Sequence, residues 1–147
     1  MKLFHASPYK FDHFNLDHFG EGEGHCQKSL GFGLYLSEEF KVAKRAARYF
    51  KSKLGYANIY TATLQASKDQ ILDLTKHWQR TVEHPRWGHI DYPTMLCDLG
   101  EQGAFEGLLN MGIKAVRDYE ADDGGLILLC VQPQYLRIVS CETLDSR

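Results

Sequence analysis

Two stretches of this chain carry residue types at a spacing that chemistry could use. The first is Gly31-Phe32-Gly33-Leu34-Tyr35-Leu36-Ser37, with glycines at alternate positions and one tyrosine in an otherwise apolar run. Core packing alone does not call for that, because glycine in a strand costs entropy and fills no space. It marks a place where a ligand or another backbone comes very close. Tyr35 on the floor of a nucleotide pocket is one reading, and a short strand with a bulge is the other. The second stretch is Lys2-Leu3-Phe4-His5-Ala6-Ser7, a short strand that Pro8 stops because proline cannot donate to the ladder. His5 falls near its end.

Other chemistry finds less support in the pattern. Cys26, Cys97, Cys130 and Cys141 stand far apart with no C-x-x-C pair, and read as free thiols in a reducing compartment, mostly small buried hydrophobes. The seven histidines form neither H-E-x-x-H nor H-x-H, so no metal is expected. Net charge is −2 with scattered basic residues, which gives no electrostatic footprint for nonspecific duplex binding and leaves a nucleic-acid substrate open. Trp78, Arg80, Arg86 and Trp87 read either as a surface that stacks on bases or as a solvated loop with two packed indoles.

Positioning the two stretches falls to a mixed set of elements. Tyr9 to Leu30 reads as a long loop anchored by Phe11, Phe14 and Phe19, its most flexible part being Gly20 to His25, and loops of that length in compact domains are usually functional. Ser37 serves as N-cap of a helix whose buried face is Phe40, Ala43, Ala47 and Phe50, and Gly55 ends it. Asn58–Leu64 alternates as a strand with well-separated apolar and polar sides. A brief extended piece at Ile71–Leu74 leads to an amphipathic helix over Thr75–Val82 and a loop from Glu83 to Tyr92. A second helix spans Thr94–Leu109, broken near Gly100 or Gly103, with Gly112 in the left-handed position after it. Ile113–Arg117, the fully apolar and therefore central Leu126–Val131, and Leu136–Val139 are the closing strands. The order is that of an α+β protein.

At 147 residues and 44% hydrophobic, the chain makes one domain over residues 1–147. No apolar run has the length of a membrane span and the start lacks a signal segment, which points to no membrane association and a cytoplasmic location.

His5-Ala6-Ser7 at a strand end, the long loop, Gly31-x-Gly33-x-Tyr35 and the following Val42-Ala43-Lys44 helix together resemble the NAD-dependent ADP-ribosyltransferases. The likeness is to the branch shared by diphtheria toxin and the poly(ADP-ribose) polymerases, and within it to small bacterial and phage domains with a histidine-and-tyrosine pattern. Gly112–Val116, the apolar strand and Pro133–Val139 match how such domains close. The matching pieces cover roughly half the chain, at its two ends.

The resemblance implies an ADP-ribosyltransferase-like α+β fold of split mixed and antiparallel sheets with flanking helices. It implies a glycosyl-transfer enzyme that moves ADP-ribose from NAD to a protein or nucleic-acid acceptor and releases nicotinamide. NAD is then a co-substrate and no metal is needed. By analogy such short domains act as toxins or anti-phage effectors, with an antitoxin or immunity protein as a further partner. The alternative on the same fold is a noncatalytic module that binds NAD, ADP-ribose or a partner protein. In the catalytic reading His5 hydrogen-bonds a ribose hydroxyl, Ala6 offers backbone groups to the carboxamide with Ser7 beside it, and Tyr35, with Gly31 and Gly33 letting the ligand come close, stacks on nicotinamide. Tyr49 is either a second stacking face or the helix's own packing residue. Ala6 stands where the family usually has glycine. The third catalytic position departs further. Glutamate-containing members hold the ribose with a carboxylate at the start of the penultimate strand, whereas the Pro133 closure aligns Ile127 or a neighbour there, none of them acidic. Either a gap brings Asp123 into that role, or the third residue is apolar, which suggests transfer of single units or no catalysis. Asp122-Asp123-Gly124-Gly125 also reads as an ordinary turn.

Overall fold

The computed structural model describes residues 2–14, 33–76, 80–119 and 125–145. Strands β1 (Lys2–Ser7) and β2 (Leu34–Ser37) precede helix α1 (Phe40–Leu54) and the long strand β3 (Tyr56–Leu64). The short strand β4 (Ile71–Asp73) and a hairpin, β5 (Thr81–His84) with β6 (Gly88–Asp91), lead to helix α2 (Tyr92–Asn110). Strands β7 (Ala115–Tyr119), β8 (Leu126–Cys130) and β9 (Leu136–Asp145) complete the fold. Seven strands form one sheet in the order β4-β7-β8-β2-β1-β3-β9, and the β5–β6 hairpin stands apart as a second, small sheet. All neighbours are antiparallel except β4 and β7. The architecture is α+β.

The large sheet is two half-sheets riveted at one point. β1 pairs with β3 along its whole length, and β2 pairs with β8 along its whole length. Between the halves the register holds a single residue pair, Phe4 with Ser37. Each half has its own helix on the same face. Phe4, Ala6, Ala57 and Ile59 pack against Ala43, Ala47 and Phe50 of α1. Leu72, Val116, Ile127 and Leu129 pack against Met95, Ala104 and Leu108 of α2. The opposite face buries Leu3, Leu36, Tyr60, Ala62 and Leu128 beneath Phe14, with Phe11 against it. Amphipathic layers that can hide only one side each are satisfied by this arrangement.

Local sequence explains most boundaries. Gly55 (φ 85°) closes α1 with its N–H on the Lys51 carbonyl, and Gly112 (φ 71°) follows α2, both in the left-handed region where a Cβ is costly. α2 is broken at Gly100 (φ 74°, ψ −178°). Asp91 caps it through the Thr94 N–H, with Pro93 in the first turn.

Five local expectations are corrected. Helix α1 begins after Glu39, not at a Ser37 cap, because the Ser37 hydroxyl is committed to the Leu126 carbonyl at 2.7 Å and to the Glu39 N–H. Thr81 and Val82 are extended, not helical: Val82 and His84 point inward on alternate positions of β5. The expected loop from Glu83 carries the second strand of that hairpin. β3 does not have one polar side, since Ala57 through Tyr60 are all buried; it lies inside the sheet with β1 and β9 on its flanks. β9 continues to Asp145, and its register against β3 skips Val139, a bulge between Thr61 and Ala62.

Candidate active site

The candidate residues gather at the seam between the half-sheets. Past the Phe4–Ser37 pair the two strands share no further register pair among the described residues, so the end of β1, His5-Ala6-Ser7, lies toward the start of β2, with Leu34 and Tyr35, without a continuing ladder. His5 is 8% exposed, and its Nδ1 lies 2.7 Å from the Tyr35 carbonyl oxygen. A carbonyl only accepts, so Nδ1 carries the proton and donates, and in the neutral ring Nε2 is the acceptor. The Phe14 ring meets the imidazole edge-on at 5.6 Å, with Phe11 at 6.4 Å.

The side chains of His5 and Tyr35 leave the sheet on opposite faces. His5 sits across from Tyr60 on β3, on the face that Phe14 covers. Tyr35 sits across from Leu129 on β8 and packs under α2 with Tyr92 and Met95. Burial, with the nearby Tyr35 and Glu101 adding to it, holds the Tyr92 hydroxyl well above the ordinary tyrosine range, so it stays neutral.

Ala6 and Ser7 are buried, and the Ser7 hydroxyl accepts from the Tyr9 N–H at 3.1 Å. Gly33 (φ 156°) owes its identity to another backbone: a Cβ there would lie 2.6 Å from Leu129 Cδ1 and 2.8 Å from the Cys130 carbonyl oxygen. Tyr49 stands apart from His5 and Tyr35. It is 42% exposed on α1, and its ring meets Phe50 and the Lys53 ammonium. Ile127 is buried opposite Ser37, on the face Tyr35 occupies, so an aliphatic side chain fills the place to which the third residue aligns. Gly31 and Asp123 lie outside the described residues. Of the middle stretch, Trp87 is exposed at the hairpin turn rather than packed, Arg80 pairs with Asp91 at 3.2 Å, and Trp78 lies outside the described residues.

Two residues that the sequence reading did not single out hold the site together. Asn58, 1% exposed, donates to the carbonyls of Ser7 and Tyr9 and accepts from Thr143 Oγ1 at 2.8 Å. The Tyr60 hydroxyl donates to the Tyr9 carbonyl at 3.0 Å and accepts from the Phe11 N–H at 2.9 Å. Together they pin the chain that leaves β1. Burial raises the Tyr60 hydroxyl to about 12, against the Phe11 hydrogen bond, which lowers it. The signal was an asparagine in a strand otherwise made of β-branched, aromatic, alanine and leucine residues, where asparagine is disfavoured.

Toward the other end of the sheet, Arg117 bridges Glu38 at 2.6 Å and Asp73 at 3.0 Å. Burial works to raise the Asp73 carboxyl, but hydrogen bonds from Thr75 and the Arg117 guanidinium outweigh it and hold it below the usual range. Burial pushes the Cys130 thiol up to about 12, which leaves it a packing group and not a nucleophile. Among the described residues no group of three or more His, Cys, Asp and Glu side chains is placed to hold a metal ion, and no helix is long and apolar enough to cross a membrane.

No protein-family model matches the chain, and no curated protein matches it. Among solved structures it is similar to a chain of the M. tuberculosis MbcT–MbcA toxin–antitoxin complex, at 16% identity and a TM-score of 0.55. The match covers 99% of this chain and 84% of that one. At that identity the likeness is one of fold, and what it establishes is that this α+β arrangement is shared with a component of a toxin–antitoxin complex.

Proposed function

We propose that the protein is an ADP-ribosyltransferase that cleaves NAD at the seam and passes ADP-ribose to a macromolecular acceptor, in the manner of a toxin restrained by a partner antitoxin. The observation that supports this reading is the hydrogen bond that His5 makes to the Tyr35 carbonyl just past the Phe4–Ser37 pair, which brings the two candidate residues together. In this reading a ligand at the seam meets His5 from one strand and the Tyr35 ring from the other. Nicotinamide stacks on Tyr35, its ribose hydroxyl donates to His5 Nε2, and the backbone around Ala6 receives the carboxamide. The bond between ribose C1′ and nicotinamide breaks with its electron pair leaving on nicotinamide. The resulting oxocarbenium-like sugar is captured by an acceptor nucleophile that forms a new bond to C1′ and gives up a proton. Asp123 is the proposed anionic support for that cation.

Nicotinamide release from NAD is the test. The wild-type protein is expected to liberate nicotinamide, and His5→Ala and Tyr35→Ala, both folded by circular dichroism, are expected to lose that activity. Unchanged release in both variants would remove the proposal. The buried Ile127 favours a second reading, a noncatalytic module that binds NAD without turning it over. Calorimetric binding of NAD with no nicotinamide released would select it.

A further inference from the structure

A recess opens at the end of the sheet where β8 runs into its turn. It has a volume of about 690 Å³ and lies between Phe14, the Phe105–Leu109 side of α2 and the turn after β8, Val131 to Leu136. That volume suits a small organic group. Phe14 is shared with the seam: one side of its environment is the His5 ring at 5.6 Å, the other is this cavity. Among the described residues the polar groups of the lining are Gln132, Gln134 and His13, with no Lys, Arg, Asp or Glu. The Gln132 amide is oriented, since its Nε2 donates to the Ile113 carbonyl at 2.9 Å and its Oε1 meets Gln134 at 3.5 Å. Rings flanked by amide donors and acceptors suit a neutral, flat heterocycle with a hydrogen-bonding edge.

One cation stands beside the turn. The Lys114 carbonyl accepts from the Val131 N–H at 2.9 Å, and the Lys114 ammonium lies 3.7 Å from the Tyr135 ring centroid and 3.0 Å from the Gln65 carbonyl oxygen. Among the described residues no carboxylate pairs with it. A charge held by a ring and a carbonyl remains able to meet an anion. We infer that the cavity binds one unpaired nucleobase of a single-stranded nucleic acid, with the adjoining phosphate at Lys114. The overall charge of −2 agrees with this mode: an unpaired base is held by stacking and its edge, not by a track of backbone charges. That this base belongs to the acceptor rests on the ADP-ribosyl-transfer reading above; that the cavity holds a base does not.

Fluorescence anisotropy with labelled single strands of about ten nucleotides, oligoadenylate and oligothymidylate, tests this without NAD present. Binding of at least one strand is expected, with a slope of log K against log salt of about −0.7, the value for one phosphate on a single strand. Leu109→Trp fills the recess from an exposed position and is expected to weaken binding about tenfold or more, in the range that one stacked base supplies, while nicotinamide release from NAD stays at the wild-type level. Lys114→Ala is expected to flatten the salt slope. Absence of binding, indifference to Leu109→Trp, or a slope equivalent to several phosphates overturns the inference. Displacement by saturating NAD would assign the cavity to the adenine of the co-substrate and overturn the acceptor assignment. Because oligonucleotide binding and nicotinamide release are separate readouts, loss of the first with the second intact sinks only this inference, and the reverse sinks only the enzymatic reading.

Discussion

Tyr35 offers His5 its carbonyl and not its ring: the imidazole Nδ1 donates to that oxygen across 2.7 Å while the two side chains leave opposite faces of the sheet. The bond fixes the tautomer of His5 and ties the two half-sheets together one step beyond their only register pair. His5→Ala therefore has two expected effects. A partly buried carbonyl is left without its donor, at a cost of about 1–3 kcal/mol, readable in urea denaturation. Nicotinamide release falls about a hundredfold or more, the scale of one lost site hydrogen bond. A variant that loses stability but keeps its NAD cleavage would confine His5 to a structural role.

The Tyr35 ring separates stacking from hydroxyl chemistry. Tyr35→Phe keeps a ring under nicotinamide and is expected to stay within severalfold of wild type in kcat/KM. Tyr35→Ala is expected to lose about 10- to 100-fold, matching the about 1–3 kcal/mol that a stacked base supplies. Equal losses in the two variants would mean that the hydroxyl, beside the neutral Tyr92, matters more than the ring.

Gly33→Ala is a prediction about packing. Its Cβ would fall 2.6 Å from Leu129 Cδ1 and 2.8 Å from the Cys130 carbonyl oxygen, and the second of these is backbone that cannot rotate away. We expect a loss of about 1–3 kcal/mol, seen as a lowered Tm. Adding Leu129→Ala should not restore it, because the carbonyl clash remains and a cavity is added.

Acid stability should depend on Asp73. Its carboxyl titrates below the unfolded-state value, so the folded protein binds fewer protons than the unfolded chain. The stabilisation is thus complete above the ordinary carboxylate range and is lost as pH falls through the lowered value. Asp73→Asn is expected to lower stability at neutral pH and to flatten its decline between about pH 5 and pH 2. Denaturant midpoints taken at several pH values would show the two curves converging in acid; parallel curves would contradict the linkage.

Tyr60→Phe removes the hydroxyl that joins the Tyr9 carbonyl to the Phe11 N–H and keeps the ring stacked on Phe11 at 4.3 Å. Both main-chain groups lose a partner, at about 1–3 kcal/mol each when buried and less where water can replace it. Faster limited proteolysis between Ser7 and Phe14, together with a lowered denaturation midpoint, is the expected readout.

Punctuation made the fold readable. Pro8, Gly55, Gly100 and Gly112 end or break elements where the chain says they should, because proline and glycine act through their own backbone. The β5–β6 hairpin was not readable in the same way. Its alternation brings His84 inward beside Val82, and a polar residue on the buried side erases the period-2 signal. The site divides along the same line. The stretches holding His5 and Tyr35 stood out by residue type, but their relation is one of register across a seam, which no local window encodes. The reason for Gly33 lies near position 130, almost a hundred residues away. Tyr49 fell outside the buried spacing of Ala43, Ala47 and Phe50, which already placed it on the helix's open side.

The bulge at Val139 has a consequence beyond the shape of β9. That strand is the outermost of the large sheet, ten residues long, with Val139 itself 61% exposed. A straight edge of that length is a template onto which further chains polymerise. Two residues set against one interrupt the ladder near its middle and twist the edge away, so an incoming strand finds only short, misaligned runs to grip. Removing the extra residue, by deleting Val139, would straighten the rim and turn the domain toward fibrils.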